Sequence, residues 1–232
     1  MDATLTLLGQ FSVTADGQPV PMDTRSARLL AALAIKSEDG PIVREELSRL
    51  LWPNACRDRA LANVRAVLWR MGHDGRTLVT RRNREVALHP DVEVDIHALC
   101  LSRRPQGVAT SDIGFHFTLD QLSAPLLTGW YDEWVIEERD RVRGCQLALL
   151  EQRVRAHLES GDASAAVIEA TWAVTIDPLN ESAHQLLLRS HLAEGNVNEA
   201  VSHFRHLKRL LNRELGVPPF PDTSKIIEPC LR

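Results

Sequence analysis

The sequence predicts a mostly helical protein with a small amount of β structure near its start. Across residues 4–22, apolar positions alternate around Gly9, Gly17 and Pro19, which reads as short strands joined by turns. From Asp23 onward, and again after Asp132, apolar residues recur at helical spacing instead. The second half also repeats its helix-breaking and small residues at a 34-residue interval, a helix-turn-helix period.

Taken in order, Asp16-Gly17 signals a hairpin between two of the leading strands. Asp23 or Thr24 caps a helix that buries Leu29, Leu30, Leu33 and Ile35, and Gly40-Pro41 ends it. A second helix runs over residues 44–51 with Leu47, Leu50 and Leu51 apolar, closed by Trp52-Pro53. Asp58 caps a third helix that reaches about Met71 and stops at Gly72. Residues 77–80 and 85–88 then form two strands around a basic turn, Arg81-Arg82-Asn83-Arg84. Strands, three helices and a hairpin in this order match a winged helix-turn-helix, with the second and third helices as the DNA-reading pair. This places a DNA-binding domain at 1–96 and a helical domain at 97–232, entered through a linker over 102–117.

The helical half shows why the 34-residue interval matters. It separates Gly161 from Gly195, Leu158 from Leu192, Ala166 from Ala200 and Ala170 from Phe204. Glycine turns the chain between paired helices, and small alanines let the helices approach closely. Pro178 ends a unit, whereas the next unit has Asn212 there, so its last helix continues to Glu214. The reading is tetratricopeptide-like, with a long helix over 132–159 leading in.

Charge distribution says more than net charge. The chain carries −4 overall, yet residues 57–84 hold eight arginines against Asp58 and Asp74. A local positive field of this kind suits a phosphate-binding face. On a wheel of 100° per residue with Arg59 at zero, Asn63, Ala66 and Arg70 fall within about 40° of it. Val64, Val67, Leu68, Met71 and Leu61 form the opposite, apolar side. Arginine pairs with guanine and asparagine with adenine, so Arg59 and Asn63 are the base-reading candidates. Arg65 and Arg70 are assigned to phosphates, Arg81, Arg82 and Arg84 to backbone or the adjacent minor groove, and Arg57 is counted among the DNA-binding residues.

The residues also resemble a known family, the actinobacterial antibiotic-regulatory proteins, which join an OmpR-type winged helix to a bacterial transcriptional activation domain. The resemblance rests on Leu7-Leu8-Gly9 with Gly17-Gln18-Pro19-Val20, Arg44-Glu45-Glu46-Leu47 with Leu51-Trp52, and Ala62-Asn63-Val64-Arg65 with Leu68-Trp69-Arg70. Further along it rests on Leu78-Val79-Thr80-Arg81, on Leu127 to Trp134 followed by Glu137-Glu138-Arg139, and on two later segments, Asp177 to Glu181 and Glu214 to Pro218. It implies transcriptional activation, in antibiotic gene clusters, by protomers side by side on direct repeats near a promoter −35 element. It also implies recruitment of RNA polymerase holoenzyme through its sigma factor by the loop over residues 52–57, with Trp52 and Asn54 as contacts. With no G-x-x-x-x-G-K-[ST] and no receiver domain, the chain resembles the small stand-alone type.

Other classes fare worse. The longest apolar stretch, residues 27–35, is far short of the ~20 residues of a membrane helix. No signal peptide is evident, so a cytoplasmic, nucleoid-associated protein is expected. Cys56, Cys100, Cys145 and Cys230 have no C-x-x-C spacing and are read as reduced thiols. His203 and His206 share helical spacing without a third ligand, so packing is favoured over a metal site. No hydrolase, metalloprotease or dinucleotide motif occurs, so neither an enzyme nor a cofactor is expected. Trp130, Tyr131 and Trp134 are assigned to packing at the domain junction or at the end of the helical array. The rival reading is a tetratricopeptide interaction or scaffold module that does not bind specific DNA.

Overall fold

The computed structural model describes residues 3–36, 40–74, 78–101 and 117–230. Packing divides them into two units. The first takes in the residues up to 101 together with 124–142; the second takes in 117–123 and the residues from 143 onward.

The first unit runs β1 (Ala3–Thr6), β2 (Ser12–Ala15), β3 (Gln18–Pro19), α1 (Thr24–Lys36), β4 (Ile42–Val43), α2 (Arg44–Leu51) and α3 (Arg57–Asp74). Then come β5 (Val79–Arg82), β6 (Glu85–Leu88), β7 (Val92–Val94) and α4 (Asp95–Leu101). The leading sheet has the order β3-β2-β1-β7, and a second sheet has the order β4-β6-β5. Ala15 pairs with Gln18, leaving Asp16 and Gly17 as a two-residue loop. Both have positive φ, 50° and 74°, as a type I′ turn requires, so the hairpin signal in the sequence was local and sufficient.

Asp23 does cap α1. Its carboxylate accepts from the backbone N–H of Arg25 and Ser26 at 2.9 and 3.2 Å and from the Ser26 hydroxyl at 2.7 Å. Leu29, Leu30 and Leu33 of α1 are buried with Leu47 and Leu51 of α2 and Val64, Val67 and Leu68 of α3. One polar residue organises the other side. Asp95, buried at the start of α4, accepts from the N–H groups of Leu7, Leu8 and Ile96 at 2.7–2.9 Å. Burial pushes its carboxyl pKa up, and these three donors work against that rise.

The segment 124–142 returns to the first sheet. Leu127 N–H donates to the Leu7 carbonyl at 2.8 Å, and Gly9 N–H donates to the Pro125 carbonyl at 3.0 Å. Arg139 donates to the carbonyls of Leu126, Leu127 and Trp130. Trp130 lies 5.8 Å from Phe11 and 6.5 Å from Trp134, ring centre to ring centre, and Trp134 is buried. Trp130 and Trp134 therefore pack inside the first unit rather than at the end of the helical array, and Tyr131 is 82% exposed.

The second unit contains α5 (Leu119–Ser123), the later part of α6 (Glu133–Ser160), α7 (Ala163–Ile176), α8 (Glu181–Ala193), α9 (Val197–Leu215) and α10 (Pro221–Ile227), closed by a 3-10 turn at Glu228–Cys230. Gly161 and Gly195, at equivalent places in the repeat, have φ of 82° and 81°. Asp162, Asn180 and Asn196 cap the helices that follow. Ala166 and Ala170 are buried in a cluster with Val154, Leu186 and Leu187, with Leu158 against it. One repeat later, Ala200 is buried with Leu188 and Ile227, against which Leu192 and Phe204 pack. The architecture is a winged helix followed by a tetratricopeptide-like helical unit.

Some expectations need correction. α3 begins at Arg57 and continues through Gly72 to Asp74, so Asp58 is in its first turn and Gly72 is no stop. Arg81 and Arg82 lie in β5; the turn itself is Asn83-Arg84, with Asn83 at φ 50°. Cys56 and Cys230 are free thiols, whereas Cys100 and Cys145 are not, contrary to the expectation of four reduced thiols. Residues 102–116 of the expected linker, and Arg76, lie outside the described residues. No helix among the described residues is long and apolar enough to cross a membrane.

Candidate nucleic-acid interface

The helix α3 presents its charges because its other side is committed to the core. Ala60, Val64, Val67, Leu68 and Met71 are all at most 4% exposed. On the 100° wheel with Arg59 at zero, their mean direction is about 125°, so the outward direction is about −55°. Arg57, Arg59, Arg65 and Arg70 are exposed, while Asn63 is half-buried because it lies at the margin of the core. Ala62, Ala66 and Trp69 lie nearest the outward direction, and all three are exposed. The helix therefore offers two arginine edges, near Arg59 and near Arg65, with a low alanine floor between them.

The hairpin stands beside this helix through a specific contact. The Arg81 guanidinium donates to the Leu68 carbonyl of α3. Arg82 and Arg84 are exposed, at the end of β5 and in the turn. β4 pairs with β6, Ile42 opposite Val86, and the Arg44 N–H donates to the Arg84 carbonyl at 2.8 Å, which ties the hairpin to the start of α2. Arg57, Arg59, Arg65, Arg82 and Arg84 take part in none of the ion pairs formed among the described residues. Arg70 is more constrained, because its charge helps hold the Asp23 carboxyl below the usual range, after the stronger effect of the Ser26 hydroxyl bond.

Between α2 and α3, the turn at Trp52 is fixed by Trp52 N–H donating to the Ser48 carbonyl and by Ala55 N–H donating to the Trp52 carbonyl, at 3.0 and 3.1 Å. Trp52 is half-buried and Asn54 exposed. Trp52 lines an open surface pocket of about 330 Å³ with Glu45, Arg49 and Arg57.

The histidines of the second unit form a packed pair. His184 Nε2 donates to the Pro178 carbonyl at 2.9 Å, which leaves its Nδ1 to accept from His203 Nε2 at 2.8 Å. His203 is thereby held by a partner on α8 that spacing along α9 did not reveal. Burial, with repulsion from His184, His191 and His206, brings the His203 pKa down to about 4. No group of three metal-ligating side chains forms among the described residues.

Comparison with known proteins finds similarity along most of the chain. Residues 117–231 match the bacterial transcriptional activator domain. The chain is 27% identical over 248 residues to the transcriptional regulatory protein EmbR of Mycobacterium tuberculosis, with 97% of this chain and 62% of that protein covered. It is also 27% identical over 237 residues to the regulatory protein AfsR of Streptomyces coelicolor, with 97% of this chain and 24% of that one covered. The second half is therefore similar to a bacterial transcriptional activator domain, and the chain along its length is similar to these regulators. Its fold agrees with the solved structure of Mycobacterium tuberculosis EmbR in complex with a low affinity phosphopeptide, at a TM-score of 0.69 and 23% identity, over 100% of this chain and 65% of that one. The chain thus spans about three fifths of EmbR and about a quarter of AfsR. All of these relatives are named as regulators.

Proposed function

We propose that the chain is a sequence-specific DNA-binding transcriptional activator, with residues 1–96 contacting the duplex and residues 97–232 serving activation. The observation that carries the reading is the set of exposed guanidinium groups of Arg57, Arg59, Arg65, Arg82 and Arg84, in no ion pair among the described residues, on one helix and the adjoining hairpin. α3 lies in the major groove, where Arg59 and Asn63 read base edges. Arg57, Arg65 and Arg70 hold phosphates, and Arg82 and Arg84 extend the contact along the backbone or into the minor groove. Arg81 supports the hairpin as well as lending charge.

Protomers bind side by side on direct repeats near a −35 element, in promoters of antibiotic gene clusters. The turn containing Trp52 and Asn54 contacts RNA polymerase holoenzyme at its sigma factor. The protein acts in the cytoplasm on the nucleoid, requires no cofactor and catalyses no reaction. The resemblance to EmbR and AfsR supports a regulatory role, and the local charge supports the nucleic-acid partner.

Genome-wide mapping of bound DNA, followed by footprinting of the strongest site, tests the reading. Protection of two directly repeated elements is expected. Retention on random and genomic duplex to the same extent at all salt concentrations would contradict sequence-specific binding.

A further inference from the structure

Trp69 of α3 has no part in the contacts proposed so far. Trp69 is 71% exposed on α3, a helix whose other large apolar residues are buried or half-buried. Its direction on the wheel, about −80°, lies within about 25° of the outward axis of the helix. Asn63 lies about 95° from that axis by the same construction. Ala62 and Ala66, also exposed, precede Trp69 by seven and three residues on this surface. Arg65 lies one turn behind Trp69 and Arg70 immediately follows it, and both are exposed.

Distance along the helix selects what the indole meets. Trp69 is ten residues beyond Arg59, about 15 Å along the axis. The major groove is about 12 Å wide. If Arg59 reaches base edges, Trp69 has passed the groove floor and stands at its wall, where the sugar-phosphate backbone runs. The hairpin is anchored at this same level, through Arg81 to the Leu68 carbonyl.

We propose that Trp69 is a backbone-contact residue, its exposed ring packed against a deoxyribose at the groove edge. The proposal rests on the DNA-binding reading and deepens it. The contact is neutral, which separates it from the arginines. It strengthens binding to every sequence alike and releases no counterion.

The test uses the full chain with Trp69→Ala and Trp69→Phe, titrated with a 30-bp mixed-sequence duplex over a series of salt concentrations, and with the footprinted operator as one and as two repeats. Because the indole is exposed, both variants are expected to melt with the wild type. Trp69→Ala is expected to lose about tenfold in affinity on every duplex with an unchanged salt slope. Trp69→Phe, which keeps a smaller ring, falls between. Wild-type affinity in Trp69→Ala overturns the proposal and leaves the DNA-binding reading standing. A loss seen only on the two-repeat duplex also overturns it, by placing the indole against a neighbouring protomer. Absence of wild-type binding to any duplex removes the DNA-binding reading and this proposal with it.

Discussion

The Arg81 guanidinium donates to the Leu68 carbonyl of α3, so the basic hairpin is fastened to the helix that carries the other arginines. The contact divides the hairpin arginines into one that holds and two that reach. Arg82→Ala or Arg84→Ala is expected to weaken binding to all duplexes alike and to lower the salt slope by about one each. Arg81→Ala is expected to weaken binding further and to speed amide exchange in β5 and β6. Equal exchange in Arg81→Ala and the wild type would show that the Leu68 bond does not hold the hairpin.

Arg59→Ala and Asn63→Ala are expected to cost about 1–3 kcal/mol each on the preferred operator and much less on mixed-sequence DNA. The half-burial of Asn63 makes it the more limited reader, so Arg59 is expected to show the larger change in sequence preference. Competition binding against operators altered one base pair at a time measures this. An identical preference profile for both variants and the wild type would remove the base-reading assignment.

The first unit should depend on residues well outside its first hundred. Leu126, Leu127, Trp134 and Val135 are at most 3% exposed within it, and Asp132 pairs with Arg28. A fragment ending at residue 101 loses all of them, and each buried side chain is worth about 2–5 kcal/mol. It is expected to melt well below a fragment ending at residue 142. Asp132→Ala in the full chain, which breaks only a partly exposed ion pair, is expected to cost about 1 kcal/mol or less. Thermal melts of the two fragments and the variant check the ordering.

The histidine pair should make the second unit acid-sensitive. His203 has its folded pKa lowered to about 4 from the ordinary 6.5, so the unfolded chain takes up the proton first. Its contribution is therefore complete above about pH 6.5 and is lost as pH falls toward 4. His184 shifts in the same direction, chiefly through burial. His203→Gln is expected to flatten the dependence of the melting temperature on pH in that window. An unchanged slope would mean the pair titrates as free histidines do.

What the sequence revealed was local. Asp16-Gly17 needs only its own backbone to form a turn, and Gly161 and Gly195 need only positive φ at helix ends. The inner side of α3 was legible because five apolar residues share it. What escaped was set by partners far along the chain. β4 has two residues and exists because Ile42 pairs with Val86, while β7 pairs parallel to β1 across most of the first unit. The return of Leu127 to Leu7 leaves no signal in composition. The wheel was centred on Arg59 for its chemistry, and the burial of Ala60 moved the outward axis toward Ala66 and Trp69.

The central claim is that the outer face of α3 lies against a duplex. A photo-crosslinking residue placed at Ala66, on that face, tests it most directly, with the same residue at the exposed Arg189 of α8 as control. The account predicts crosslinks to operator DNA from position 66 and few from position 189. Protein bound to the operator that crosslinks from position 189 and not from position 66 would contradict it.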